Sequence, residues 1–193
     1  MAKWVQRALV VVAVVCFAWV GAAAARGMVF DREARRTLSD PPIVAAPVPR
    51  LGDPIGILEI PRLGVSEIVA EGDTDEILGV AIGHLPDTPL PWEPGRSAIA
   101  GHRDGHFRPL KDIRQGDRIY LKARHVNLEY EVERTLIVTP DDLSVLTPTP
   151  DSYLTLVTCY PFSYVGRAPQ RFVIHARAVG RTPTSPPSDP RRP

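Results

Sequence analysis

Cysteine is nearly absent from this chain, which has only Cys16 and Cys159. The first lies inside an apolar run near the N-terminus and the second far along the chain. They are not expected to meet, so a disulfide-stapled scaffold is excluded. An excess of either charge is also missing, with 23 Lys and Arg against 22 Asp and Glu. That balance leaves no electrostatic footprint for nucleic acid, and no nucleic-acid partner is expected. There is no internal repeat, which excludes solenoids and propellers.

The long uncharged run is Ala8 to Ala25. As a helix rising about 1.5 Å per residue, it approximately crosses a bilayer core of about 30 Å. Lys3 and Arg7 precede it, which favours a cytoplasmic N-terminus. Residues 1–25 are therefore expected to be a retained signal-anchor, a single transmembrane helix. The competing reading is a cleaved signal peptide, with small residues at Ala22 to Ala25. Either reading sends the rest of the chain across the membrane. A lone thiol in an exported domain is a liability unless it is used, and that points to Cys159; the alternative is a buried structural thiol.

Prolines number 21, and their distribution divides the chain. Residues 26–51 read as a stalk and linker, charged at first and able to extend the membrane helix, then rich in proline. Residues 181–193 read as a disordered tail. The folded domain is expected at 52–180. There the period is mostly two, with strands at Ile55–Ile60, Val65–Ala70, Ser97–Gly101, Arg118–Ala123, Asn127–Val138, Tyr153–Thr158 and Arg171–Val179. Short helical patterns cover Asp73–Leu78, Phe107–Ile113 and Asp141–Leu146. Seven or eight short strands with few helices imply a closed or nearly closed β-barrel.

Cys159 follows the strand-like run from Tyr153 and precedes Tyr160-Pro161, so its thiol should stand at a strand end, open to substrate. A thiol titrates near about 8.5, and a nucleophile needs a partner that raises its thiolate fraction. His102 is the best placed of five histidines, because it ends the run Ala98-Ile99-Ala100-Gly101. His84 falls in a Gly/Pro-rich loop, His106 in a polar loop, His125 in a turn and His175 inside the last strand. His102, Asp104 and His106 have the residue types for zinc, but their spacing matches no common closed site. Acyl transfer also needs a donor for the developing oxyanion. Arg171 opens the last strand, with Arg167 in the preceding loop as its rival.

Three segments together resemble the sortases: Thr155-Leu156-Val157-Thr158-Cys159-Tyr160-Pro161-Phe162, Arg171-Phe172-Val173, and Ala100-Gly101-His102-Arg103-Asp104-Gly105-His106-Phe107. The resemblance runs from about Gly56 to Val179. The Cys159-Tyr160-Pro161-Phe162 and Ala168-Pro169 stretches are most similar to class D. It implies an all-β, eight-stranded barrel with short helices behind one transmembrane helix. It also implies a cysteine transpeptidase with Cys159 as nucleophile, His102 as general acid/base and Arg171 on the substrate carbonyl. Thr158 would shape the substrate groove. The implied partners are exported proteins with a C-terminal LPxTG-like signal, and an amine acceptor from a peptidoglycan peptide or a pilin lysine. The chemistry requires no cofactor, and no acidic cluster assigns a calcium site. Two other readings stand beside this one. An L,D-transpeptidase would carry Ser-x-Gly-Cys where this chain has Leu156-Val157-Thr158-Cys159. A non-enzymatic tethered β-domain would bury Cys159.

Overall fold

The computed structural model describes residues 2–39, 48–164 and 166–184. The proline-rich stretch 40–47 and the tail from residue 185 lie outside the described residues. Helix α1 (Ala2–Ser39) comes first, then strands β1 (Pro54–Ile60) and β2 (Val65–Glu71). A short helix α2 (Asp75–Leu78) leads to β3 (Ile82–His84) and β4 (Arg96–Ala100). The chain continues through β5 (Arg118–Lys122), β6 (Val126–Val138), β7 (Tyr153–Tyr160) and β8 (Gln170–Pro183). Three 3-10 turns sit at Pro61–Leu63, Arg108–Asp112 and Leu143–Leu146.

The eight strands close into one barrel in the order β1-β2-β3-β4-β7-β8-β6-β5, as the fold class expected from the sequence. Pairing of β1 with β5 completes the circle and leaves no open edge. Two neighbour pairs are parallel, β2 with β3 and β4 with β7. The long β6–β8 ladder carries two register shifts, which bend it around the barrel. Alternate residues fill the interior: Ile99 from β4, Leu154 and Leu156 from β7, and Ile174 and Ala176 from β8. Phe107, on the loop after β4, is wholly buried among them.

Three expectations need correction. First, β3 takes up His84, which the sequence placed in a loop. A three-residue strand is too short to show a period. His84 pairs with Glu71 in register, and its Nδ1 lies 2.9 Å from the Glu71 carboxylate. Backbone crowding makes glycine necessary beside it: a Cβ on Gly83 would lie 2.1 Å from the Gly72 carbonyl oxygen. Second, the last strand runs three residues past Gly180, because Arg181, Thr182 and Pro183 pair with the start of β6. Third, residues 26–39, read as able to extend the N-terminal helix, do so as the second half of α1, but they dock on the barrel and do not stand clear of it as a stalk. At about 1.5 Å per residue the 38 residues of α1 span about 57 Å, longer than a bilayer core.

That second half is docked. Gly27, Phe30, Asp31, Ala34, Arg35 and Leu38 recur at helical spacing and, with Thr37, are the partly or fully buried positions of this half. Phe30, Ala34 and Leu38 pack on Ile68 and Ala70 of β2, on Ile77 of α2 and on Ala81 just before β3. Arg35 donates to Asp31 at 3.0 Å and to the Ser66 carbonyl at 3.4 Å. The apolar half before it is long enough to cross a membrane and is wholly exposed, as a single-pass anchor would be.

Docking alters what a soluble piece must contain. A chain starting at Gly52 uncovers Ile68, Ala70, Ile77 and Ala81, whereas one starting at Gly27 keeps them covered. Losing the Phe30, Ala34 and Leu38 contacts is expected to lower unfolding free energy by about 2–4 kcal/mol. Urea unfolding midpoints of pieces 27–184 and 52–184 check this, and equal midpoints would show that the helix adds nothing.

Candidate active site

The site lies where three neighbouring strands end together. Parallel pairing sets Ala100 opposite Val157. Carried two residues on, the same offset brings His102 level with Cys159. Antiparallel pairing sets Cys159 directly opposite Arg171. Such partners have Cα atoms about 4.5–5.5 Å apart. Period two turns Leu156 and Ile174 into the core, so Val157, Cys159, Arg171 and Val173 take the opposite face. His102, Cys159 and Arg171 then line one cleft of about 320 Å³, together with Arg103, Asp104 and Arg167. Cys159 is a free thiol, neither fully buried nor fully exposed.

The rival arginine differs in support. Arg167 also lines the cleft, but it sits exposed in the β7–β8 loop. Arg171 belongs to the β8 ladder, and its Nη1 donates to the carbonyls of Gln170 at 3.1 Å and Ala168 at 3.4 Å. The other histidines have separate duties. His84 bonds Glu71. His106 Nδ1 lies 2.6 Å from Glu67, whose carboxylate holds the imidazole pKa above its usual value against the opposing cost of burial. His175 Nε2 donates to the Val145 carbonyl at 3.1 Å, and burial lowers its pKa to about 4. His125 packs edge-on against Trp92. With His106 committed to Glu67, the zinc cluster considered from the sequence does not assemble, and no metal-holding group of three such side chains occurs among the described residues.

Thr158 needs a correction. It was expected to shape the groove, but it is 3% exposed and points the other way. Its hydroxyl donates to the Gly101 carbonyl at 2.7 Å, while the Gly101 amide donates to Val157 at 3.2 Å. Strand alternation explains the reversal, since the neighbour of an outward Cys159 must face inward. Thr158 therefore fixes the end of β4 from which His102 emerges. Gly101 is needed for the same join, because a Cβ there would lie 2.6 Å from the buried Phe107 ring.

The family model for the sortase domain matches residues 58–179, most of the chain. The chain belongs to the sortase family. It is 39% identical over 132 residues to Sortase D of Bacillus subtilis, covering 68% of this chain and 67% of the relative. Two solved sortase structures share the fold. One, a D-type sortase transpeptidase from Clostridium perfringens, is 29% identical with a TM-score of 0.62, covering 78% of this chain and 89% of its own. The other, sortase E from Streptomyces avermitilis, is 30% identical with a TM-score of 0.60, covering 69% and 93%. As a sortase this chain is a transpeptidase, and among its relatives it resembles class D. Two residues beside the candidate site, Gly101 and Arg103, adjoin His102 and were given no role in the sequence reading.

Thr158→Val keeps the shape of the side chain and removes the donor to a buried carbonyl. It is expected to cost about 1–3 kcal/mol of stability and to slow turnover through a displaced His102. Thr158→Ser is expected to restore both. Urea midpoints and single-turnover rates of the two variants check this, and a Val variant as active as the parent would remove Thr158 from the site.

Proposed function

We propose that the chain is a membrane-anchored cysteine transpeptidase that cleaves an LPxTG-like sorting signal after its Thr. The acyl product is transferred to an amine. Cys159 Sγ attacks the Thr carbonyl carbon as a thiolate, and Arg171 donates to the oxygen that gains charge. Collapse breaks the Thr–Gly or Thr–Ala bond, and His102 gives its proton to the leaving amine. A thioester then joins the substrate Thr to Cys159. An amine, from a peptidoglycan peptide or a pilin lysine, attacks that thioester as His102 takes its proton. The new amide forms and the thiolate is released, ready for another cycle. Splitting one difficult acyl transfer into two easier ones is the gain of covalent catalysis.

The observation that carries this reading is the convergence of His102, Cys159 and Arg171 at one end of three adjacent strands, around one cleft. In this reading Arg171 exchanges the carbonyls of Ala168 and Gln170 for the substrate carbonyl. Residues 8–25 cross the membrane with Lys3 and Arg7 on the cytoplasmic side, so the barrel works outside. The substrates are then exported proteins with a C-terminal signal.

Two measurements test it. Incubation with LPxTG or LPxTA peptides is expected to give an adduct of the intact protein that Cys159→Ala abolishes; an adduct surviving in that variant would end the assignment. Loss of an oxyanion donor costs about 10²–10³ in rate. Arg171→Ala is expected in that range, and Arg171→Lys is still impaired, because a point charge does not reproduce the planar fork. Arg167→Ala is expected to lose about tenfold or less. Catalytic efficiency of the three variants on one peptide checks the order. Greater damage from Arg167→Ala would exchange the two roles.

A further inference from the structure

Arg103 follows His102 directly, yet it faces a different task. It is 9% exposed, unusual for an arginine beside an open cleft. Its Nη2 donates to the Tyr164 carbonyl at 2.7 Å and to the Gly166 carbonyl at 3.0 Å. Its guanidinium carbon lies 5.9 Å from the Tyr164 ring centroid, within cation–π range. All these partners belong to the β7–β8 loop. Arg103 thus joins the segment that carries His102 to the loop that carries Arg167.

The same loop is held from its other end by Arg171, through the carbonyl of Ala168 in the loop and that of Gln170 where β8 begins. At its start, Phe162 packs edge-on against Tyr160 and Phe172. Two cations therefore grip the loop backbone, and they differ in freedom. Arg171 must release its carbonyls to reach a substrate carbonyl. Arg103, buried and level with His102, has no such duty. Its Nη1 is buried without a hydrogen-bond partner among the described residues, a cost that an arginine kept for stability alone has no reason to carry.

We propose that Arg103 is a positioning residue, a clamp that keeps the β7–β8 loop against the His102 segment while Arg171 exchanges its loop carbonyls for the substrate's. The clamp keeps the cleft wall in place for peptide binding and leaves the chemistry at Cys159 unaltered. This rests on the transpeptidase reading above. Without the clamp, release by Arg171 would free the middle of the loop, and peptide would bind a wall that has to be ordered first. The deficit then falls on KM and not on kcat.

The test uses the full chain in detergent micelles, with Arg103→Met and Arg103→Lys. Met keeps an apolar stem without charge, and Lys keeps the charge without the fork. Amide hydrogen exchange is read first, because it needs no substrate. In Arg103→Met, exchange at 161–169 is expected to rise about tenfold or more, with β7 and β8 unchanged. Steady-state kinetics on one peptide is then expected to show KM raised about tenfold with kcat within about threefold, and Arg103→Lys between the two. An unchanged KM overturns the proposal, as does a fall in kcat with KM kept. Faster exchange throughout β7 and β8 also overturns it, since that marks a merely structural residue. If Arg103→Met does not fold, Arg103→Lys is judged by the same criteria. A parent protein that forms no thioester defeats the transpeptidase reading, while the exchange experiment still judges the clamp.

Discussion

The register of β7 against β8 puts Cys159 across from Arg171, and a slip of one residue would turn both side chains to the opposite face. What prevents the slip is burial. Leu154 and Leu156 on one strand, and Ile174 and Ala176 on the other, must all stay in the core. Each costs about 0.8 kcal/mol per methylene if it leaves. The site therefore takes its geometry from apolar side chains that never touch a substrate. Parallel pairing of β4 with β7 extends the argument to His102, through the buried Ile99 and the close contact between Gly101 and Phe107.

Strand register fixes the floor of the cleft, and polar contacts fix its walls. Among its described residues the β7–β8 loop has few backbone partners of its own, one being the bond from the Tyr164 amide to the Pro161 carbonyl. Its carbonyls turn instead to Arg103 and Arg171. The loop after β4 is tied back by His106 to Glu67 on β2, the strand that also receives helix α1 through Ile68 and Ala70. Helix α1, the barrel wall and the His102 segment thus form a continuous set of contacts. A cleft of oriented donors on rigid elements suits acyl transfer, where charge develops on one oxygen and must meet donors already in place.

Much of this was legible in the sequence, and the reason is local. Cys159, His102 and Arg171 each mark the end or start of a strand with clear alternation, so their placement needed only period two and the proline at 161. The family resemblance supplied the eight-stranded barrel and the grouping of the three side chains, while the strand order that brings them together came from the structure. What stayed hidden depended on partners distant in sequence. The short β3 shows no period, and His84 is a strand residue only because Glu71 waits opposite. Phe30, Ala34 and Leu38 carry a helical spacing that the charged run allowed, but the barrel wall they dock on lies far along the sequence. Thr158 was legible as important but not in direction, because the side facing the groove was already taken by Cys159. Arg103 is silent without the loop carbonyls that it holds.

In the proposed reaction Arg171 leaves the carbonyls of Ala168 and Gln170 to hold the substrate carbonyl beside Cys159. A crystal structure of the barrel with an LPxTG-like peptide joined to Cys159 measures this directly. The acyl oxygen is expected within about 3.2 Å of an Arg171 nitrogen, with the bonds to Ala168 and Gln170 broken and His102 level with the thioester sulfur. An acyl oxygen held by Arg167, with Arg171 still bonded to Ala168 and Gln170, would contradict it.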